Sequence, residues 1–193
     1  MGTNIVSLNY ATTVLTNAEG TTPKVYRMRT GERYYFNDIT MDAVYTHDMV
    51  SFDEWSTSNS SSTQVMYTID GQKVFLTADA DWENQLFVAR TFDSEYFKLT
   101  LYQAPHHGEN IFNEITDHYE SIGTLIYPNY HKGSNEGNGK IIQNEHLQSR
   151  ATEIYSWGDG TKVFTFPYQT GDVESLPLME WKYELAPNPK RGN

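Results

Sequence analysis

Two short runs in which apolar and polar positions alternate, residues 64–69 and 72–77, are joined by Asp70-Gly71. An Asp-Gly pair between alternating runs is a strong local signal for a β-hairpin. A second pair of runs, 33–36 and 39–46, flanks Asn37-Asp38 and reads the same way. The apolar run Val74-Phe75-Leu76 then stops on Asp79-Ala80-Asp81, and Asp81 suits the N-cap of a helix over 82–91. A strand over 98–103 follows that helix, so a parallel crossover is expected. Asn110 is placed to cap a helix bearing Ile111, Phe112, Ile115 and Tyr119, with Gly123 as its stop and a strand over 124–127 ended by Pro128. Beyond a weak helix at 141–151, residues 152–157 and 161–168 flank Gly158-Asp159-Gly160 as a closing hairpin.

The two ends carry different patterns. Ile5, Leu8, Thr12 and Leu15 recur near helical spacing ahead of Gly20, and 24–28 reads as a short strand. Met179, Trp181, Tyr183 and Leu185 alternate with charged residues, as a strand that adds to a sheet edge or docks on a neighbour would. The tail 186–193 and the serine-rich stretch 47–63 are polar and read as disordered tail and mobile loop. No linker or internal repeat divides the 193 residues, which suffice for one domain with a sizeable core.

A net charge of −11 argues against a broad nucleic-acid-binding surface, although a metal ion can supply positive charge locally to a phosphate substrate. The absence of cysteine removes disulfides, thiolate metal sites and cysteine nucleophiles. No apolar run approaches the roughly 20 residues that span a bilayer. Fourteen tyrosines and four tryptophans fit a β-rich core with amphipathic rims, or a surface for sugars and aromatic ligands.

Candidate chemistry collects where apolar runs end. Asp79 lies just past one such run, and Ala104-Pro105-His106-His107-Gly108 lies just past another. Two neighbouring strands ending at one sheet edge would set a carboxylate beside imidazole, a ligand set for zinc, manganese or iron. The competing reading has Asp79 and Asp81 capping the helix and the histidines in an exposed turn. His47 and His131 lie in polar loops, either as substrate contacts or as solvated residues. His118 is most simply a surface residue.

Leu76-Thr77-Ala78-Asp79-Ala80 followed by Pro105-His106-His107-Gly108 resembles the second half of a metallo-β-lactamase-fold hydrolase, closest to the competence-type branch, from about Gly31 to Tyr168. That branch carries Leu-x-Gly-Asp-Ala and Pro-His-His-Gly-Ser, so Ala78 replaces a glycine and Glu109 a serine. The family's His-x-His-x-Asp-His signature is absent, since no pair among the six histidines has that spacing. The chain is therefore expected to be a C-terminal half, either cut from a longer protein or naturally truncated. The fold the resemblance implies is α/β of the α+β sandwich type, half of an αββα architecture over about 20–168. It would be a mixed sheet with helices on one face, and 169–193 would be an extension.

In such hydrolases two zinc or manganese ions polarise the substrate and activate water. The resemblance makes Asp79 the carboxylate that spans the metals, His107 a ligand, and His106 the substrate-facing or catalytic histidine. A phosphodiester substrate is implied, with His131 and His47 as candidate substrate contacts. Two ligands cannot fill such a site, so this chain alone is expected to bind metal weakly or not at all and to be inactive without the missing half-domain. An inner sheet face including Val65, Tyr67, Val74, Leu76, Leu99 and Leu101 would be left apolar, and a homo-oligomer covering it is expected. The alternative is a non-catalytic binding or structural module derived from the same fold.

Overall fold

At the Asp70-Gly71 turn both residues adopt positive φ, 49° and 77°, the backbone that a tight hairpin matching strand twist requires. The computed structural model describes residues 28–46, 58–108, 111–128, 144–156 and 159–176. The expected helix at 5–15, most of the strand at 24–28, His47, His131 and the alternating run 179–185 lie outside the described residues.

The turn joins β3 (Gln64–Ile69) to β4 (Gln72–Leu76), and β1 (Arg33–Phe36) and β2 (Ile39–Tyr45) complete an antiparallel meander. The chain then changes mode. A helix, α1 (Trp82–Thr91), carries it back so that β5 (Lys98–Gln103) pairs parallel with β4. Shorter helices, α2 (Asn113–Thr116) and α3 (Glu145–Ser149), do the same for β6 (Ser121–Tyr127) and β7 (Ala151–Ser156). The seven strands lie in one mixed sheet in the order β1-β2-β3-β4-β5-β6-β7. The architecture is mixed α/β, with few helices on a mixed sheet.

One sheet face carries the core. Cross-strand partners Met66, Phe75 and Tyr102 are fully buried, and the Phe75 ring stacks on Tyr102 and meets Tyr119 edge-on. Val88 of α1, Ile115 of α2 and Leu147 of α3 join the same cluster. Buried rings of this size dominate a small core, each pair adding about 1 kcal/mol beyond its area. At the rim, Arg33 and Asp42 pair side chain to side chain, and Tyr96 donates to the same carboxylate at 2.8 Å.

On the second face the pairing places Val65 beside Leu76, Tyr67 beside Val74, and Val74 beside Leu101. This face is crossed by the chain's own later segment. Tyr168, 3% exposed, exchanges two backbone hydrogen bonds with the Gln72 amide, and its hydroxyl bonds Thr124 and Glu153 at 3.0 and 2.9 Å. Around it, β8 (Thr161–Phe164) pairs with β9 (Val173–Leu176) as a separate two-stranded sheet.

Several expectations are corrected. The expected hairpin between 152–157 and 161–168 does not form, because β7 pairs with β6 and β8 pairs with β9. Gly123 does not stop a helix. It lies within β6, where an added Cβ would sit 2.8 Å from the Thr100 carbonyl oxygen, so the close approach of two strands requires it. The helix expected from 111 is only Asn113–Thr116, and β6 begins three residues earlier than the expected 124–127. His118 is half-buried, its Nε2–H donating to the Phe92 carbonyl at 2.7 Å with its ring edge-on to Phe97.

The Arg33 guanidinium, with help from Tyr96, holds the Asp42 carboxyl below its ordinary value, against the opposing effect of burial. A depressed carboxyl contributes stability above its unfolded pKa of about 3.9 and loses it as pH falls through the lower folded value. Thermal melts below about pH 4 should therefore show Asp42→Asn with a shallower acid dependence than the parent, and a lower melting temperature at neutral pH. Identical slopes would count against this ion pair.

Candidate functional site

Parallel β4 and β5 end at the same edge of the sheet, and the two candidate motifs follow those ends directly. After Leu76, buried Thr77 donates its hydroxyl to the Gln103 carbonyl at 2.8 Å, tying the two strand ends together. The chain then turns sharply at Ala78, whose φ of 49° is left-handed. This turn presents Asp79. A Cβ at this positive φ costs about 1–2 kcal/mol, so Ala78 is a strained residue at the turn.

The histidine turn is equally constrained. His106, His107 and Gly108 all have positive φ, 46°, 56° and 89°. Non-glycine residues hold such conformations only where surrounding contacts determine them. Three contacts do so here. His106 N–H donates to the Ala78 carbonyl at 2.9 Å, joining the two turns. His107 Nδ1 lies 2.9 Å from the Pro128 carbonyl at the end of β6. Buried Asn144, at the start of α3, donates its amide to the Gly108 carbonyl. Gly108 must be glycine for a further reason: an added Cβ would sit 2.5 Å from Cε1 of Tyr127.

These contacts set the chemistry of His107. A carbonyl oxygen can only accept, so Nδ1 carries a proton, and whenever the ring is neutral Nε2 is a lone pair. That Nε2 faces Asp79 Oδ1 at 3.4 Å, and both side chains are 47% exposed. Two acceptors held face to face repel unless a cation, a proton or a metal ion, lies between them. For ligands at about 2.0–2.1 Å from a tetrahedral zinc, the ligand–ligand separation is about 3.3 Å. The pair therefore fits one edge of such a site, with the carbonyl-bound Nδ1 that metal-ligating histidines commonly show. Among the described residues no group of three or more His, Asp or Glu side chains gathers.

The other candidates are placed differently. His106 is half-buried, with both ring nitrogens 3.5 Å from the Asn59 side-chain amide. Asp81 occupies the N-cap position of α1 but makes no side-chain cap bond; its carboxylate instead accepts from Ser60 Oγ at 2.9 Å. Within the serine-rich stretch, Ser58–Ser61 forms a 3-10 turn, tied down by that bond and by Asn84 Nδ2 donating to the Asn59 carbonyl. Asn59, Ser60, Pro128 and Asn144 were not legible as site residues, because each acts through a backbone group or a distant loop that no local pattern marks.

Comparison with protein-family models and with curated proteins finds no match to this chain. Among the described residues no helix is long and apolar enough to cross a membrane.

Ala78→Gly should stabilise the protein by roughly 0.5–1 kcal/mol in denaturant unfolding, since relief at positive φ outweighs the added chain entropy. Gly108→Ala should destabilise it by about 2 kcal/mol or more through strain and the Tyr127 clash. The opposite order of stabilities would mean that these turns do not hold the strained conformations described.

Proposed function

We propose that this chain is the C-terminal half of a metal-dependent hydrolase of the metallo-β-lactamase type, acting on phosphodiesters. The observation that carries this reading is the Asp79–His107 pair: a carboxylate oxygen and an imidazole Nε2, 3.4 Å apart, at the common edge of two parallel strands. Binding sites in sheets of this kind concentrate at the carboxyl ends of parallel strands. The strain stored around the pair also fits a functional turn, because a purely structural connection gains nothing from two left-handed histidines.

In this reading Asp79 and His107 hold a zinc or manganese ion, which supplies Lewis acidity and an activated water. The chain's own groups do the positioning. The Pro128 carbonyl fixes the His107 tautomer, Asn144 braces the turn, and Asn59 orients His106 towards the substrate side. The remaining ligands come from a partner half-domain, which would pack on the sheet face bearing Val65, Tyr67, Val74 and Leu76. Tyr168 and the β8–β9 hairpin cross part of that face, so the partner, or a second copy of the chain, would cover the remainder.

Manganese titration followed by NMR tests the site. Weak binding should broaden the His107 ring resonances first, and Asp79→Asn or His107→Gln should abolish the effect. Broadening that ignores both substitutions would sink the metal reading. Its complete absence at millimolar manganese would mean that the two ligands hold no ion without the partner half-domain.

A further inference from the structure

Beside the Asp79–His107 pair the second sheet face holds a cavity of about 240 Å³, lined, apart from Pro128, by residues that the metal reading leaves unused. Its floor is Ile126 and Tyr155, cross-strand partners on β6 and β7. Gly160, Lys162 and Phe164, on and just before β8, line it from the hairpin, and Tyr127, Pro128 and Ser156 complete the lining. Phe164 meets both Tyr155 and Tyr168 edge-on, so the aromatic wall is continuous with the tyrosine that anchors the hairpin to the sheet. Pro128 belongs to both sites: it lines the cavity, and its carbonyl fixes His107.

The chemistry of the lining narrows the occupant. It is largely apolar and aromatic, with one charged residue, Lys162. The Lys162 ammonium sits 5.2 Å from the centre of the Tyr155 ring and donates to Ser175 Oγ at 2.8 Å. An ammonium has three protons, so these contacts leave it able to donate to an anion. Asp159 stands near the rim, where one of its carboxylate oxygens accepts from both Ser156 N–H and Ser156 Oγ–H. A cavity of about 150 Å³ lined by apolar side chains holds benzene, and whole small-molecule sites run to about 300–1,000 Å³. The space therefore suits one flat ring system, not a whole substrate.

We propose that this cavity is the slot for a flat aromatic ring that bears a phosphate. The ring lies against Tyr155 and Phe164, and the phosphate meets Lys162 on the side that Pro128 shares with His107. This names the organic half of the phosphodiester and so rests on the hydrolase reading, but it requires no bound metal to be observed.

The test is a metal-free NMR titration of the intact chain with phenyl phosphate, cyclohexyl phosphate and inorganic phosphate. Phenyl phosphate should saturate, shifting Tyr155 and Phe164 resonances, and should bind more tightly than the other two. Lys162→Glu should weaken it about tenfold, the loss expected for one charge-assisted contact turned repulsive. Tyr155→Leu, a substitution on the half-exposed edge strand, should weaken phenyl phosphate and leave inorganic phosphate unchanged. Asp79→Asn should leave phenyl phosphate binding intact. The slot is overturned if phenyl phosphate does not saturate, if inorganic phosphate binds as tightly, if Lys162→Glu is without effect, or if Asp79→Asn abolishes binding. Ring binding that persists while manganese broadening ignores Asp79→Asn and His107→Gln would support the slot and overturn the hydrolase reading alone.

Discussion

Neighbouring strands in a sheet lie about 4.8 Å apart, and that spacing is the constraint on which the candidate site depends. Two parallel strands that end together deliver their next few residues to adjacent points on one edge. Here β4 and β5 do so, and Thr77 to Gln103 locks their ends in step. An antiparallel neighbour would have sent one of the two turns to the opposite edge. The helical return through α1, packed on Phe75 and Tyr102 through the shared core, is therefore what brings a carboxylate within reach of an imidazole.

Spacing alone would leave the side chains free to rotate. The turns at Ala78 and at His106–Gly108 remove that freedom at a cost of several left-handed residues. Their bracing comes from three separate parts of the chain: the Ala78 carbonyl, the end of β6 and the start of α3. Strain of this kind is stable only if its supports hold, and here buried Asn144 and the residue that ends β6 supply two of them.

Much of this was legible from the residues. Asp70-Gly71 announced its hairpin, and the helix from Trp82 to about Thr91 and the strand Lys98–Gln103 follow from local pattern. What local pattern could not convey was long-range. Gly123 reads as a helix stop in sequence, and only the approach of Thr100 shows it to be a strand glycine. Gly158-Asp159-Gly160 reads as a hairpin turn, yet β7 finds a better partner in β6, where it extends an existing sheet. The two histidines were conspicuous as a pair, but which one faces Asp79 depends on the Pro128 carbonyl, 21 residues away in sequence.

Strand order in the large sheet follows chain order from β1 to β7. Each strand accordingly docks on one that precedes it directly, but the parallel half pairs residues as far apart as Lys98 and Ser121 or Ile122 and Ala151, so it closes more slowly than the β1–β2 and β3–β4 hairpins. The clasp between Gln72 and Tyr168 reaches further still, joining residues 96 positions apart. Loop-closure entropy weighs most heavily on such a contact. The second face is thus covered only after the strands beneath it exist, and until then it presents an open apolar surface to whatever chain is nearby.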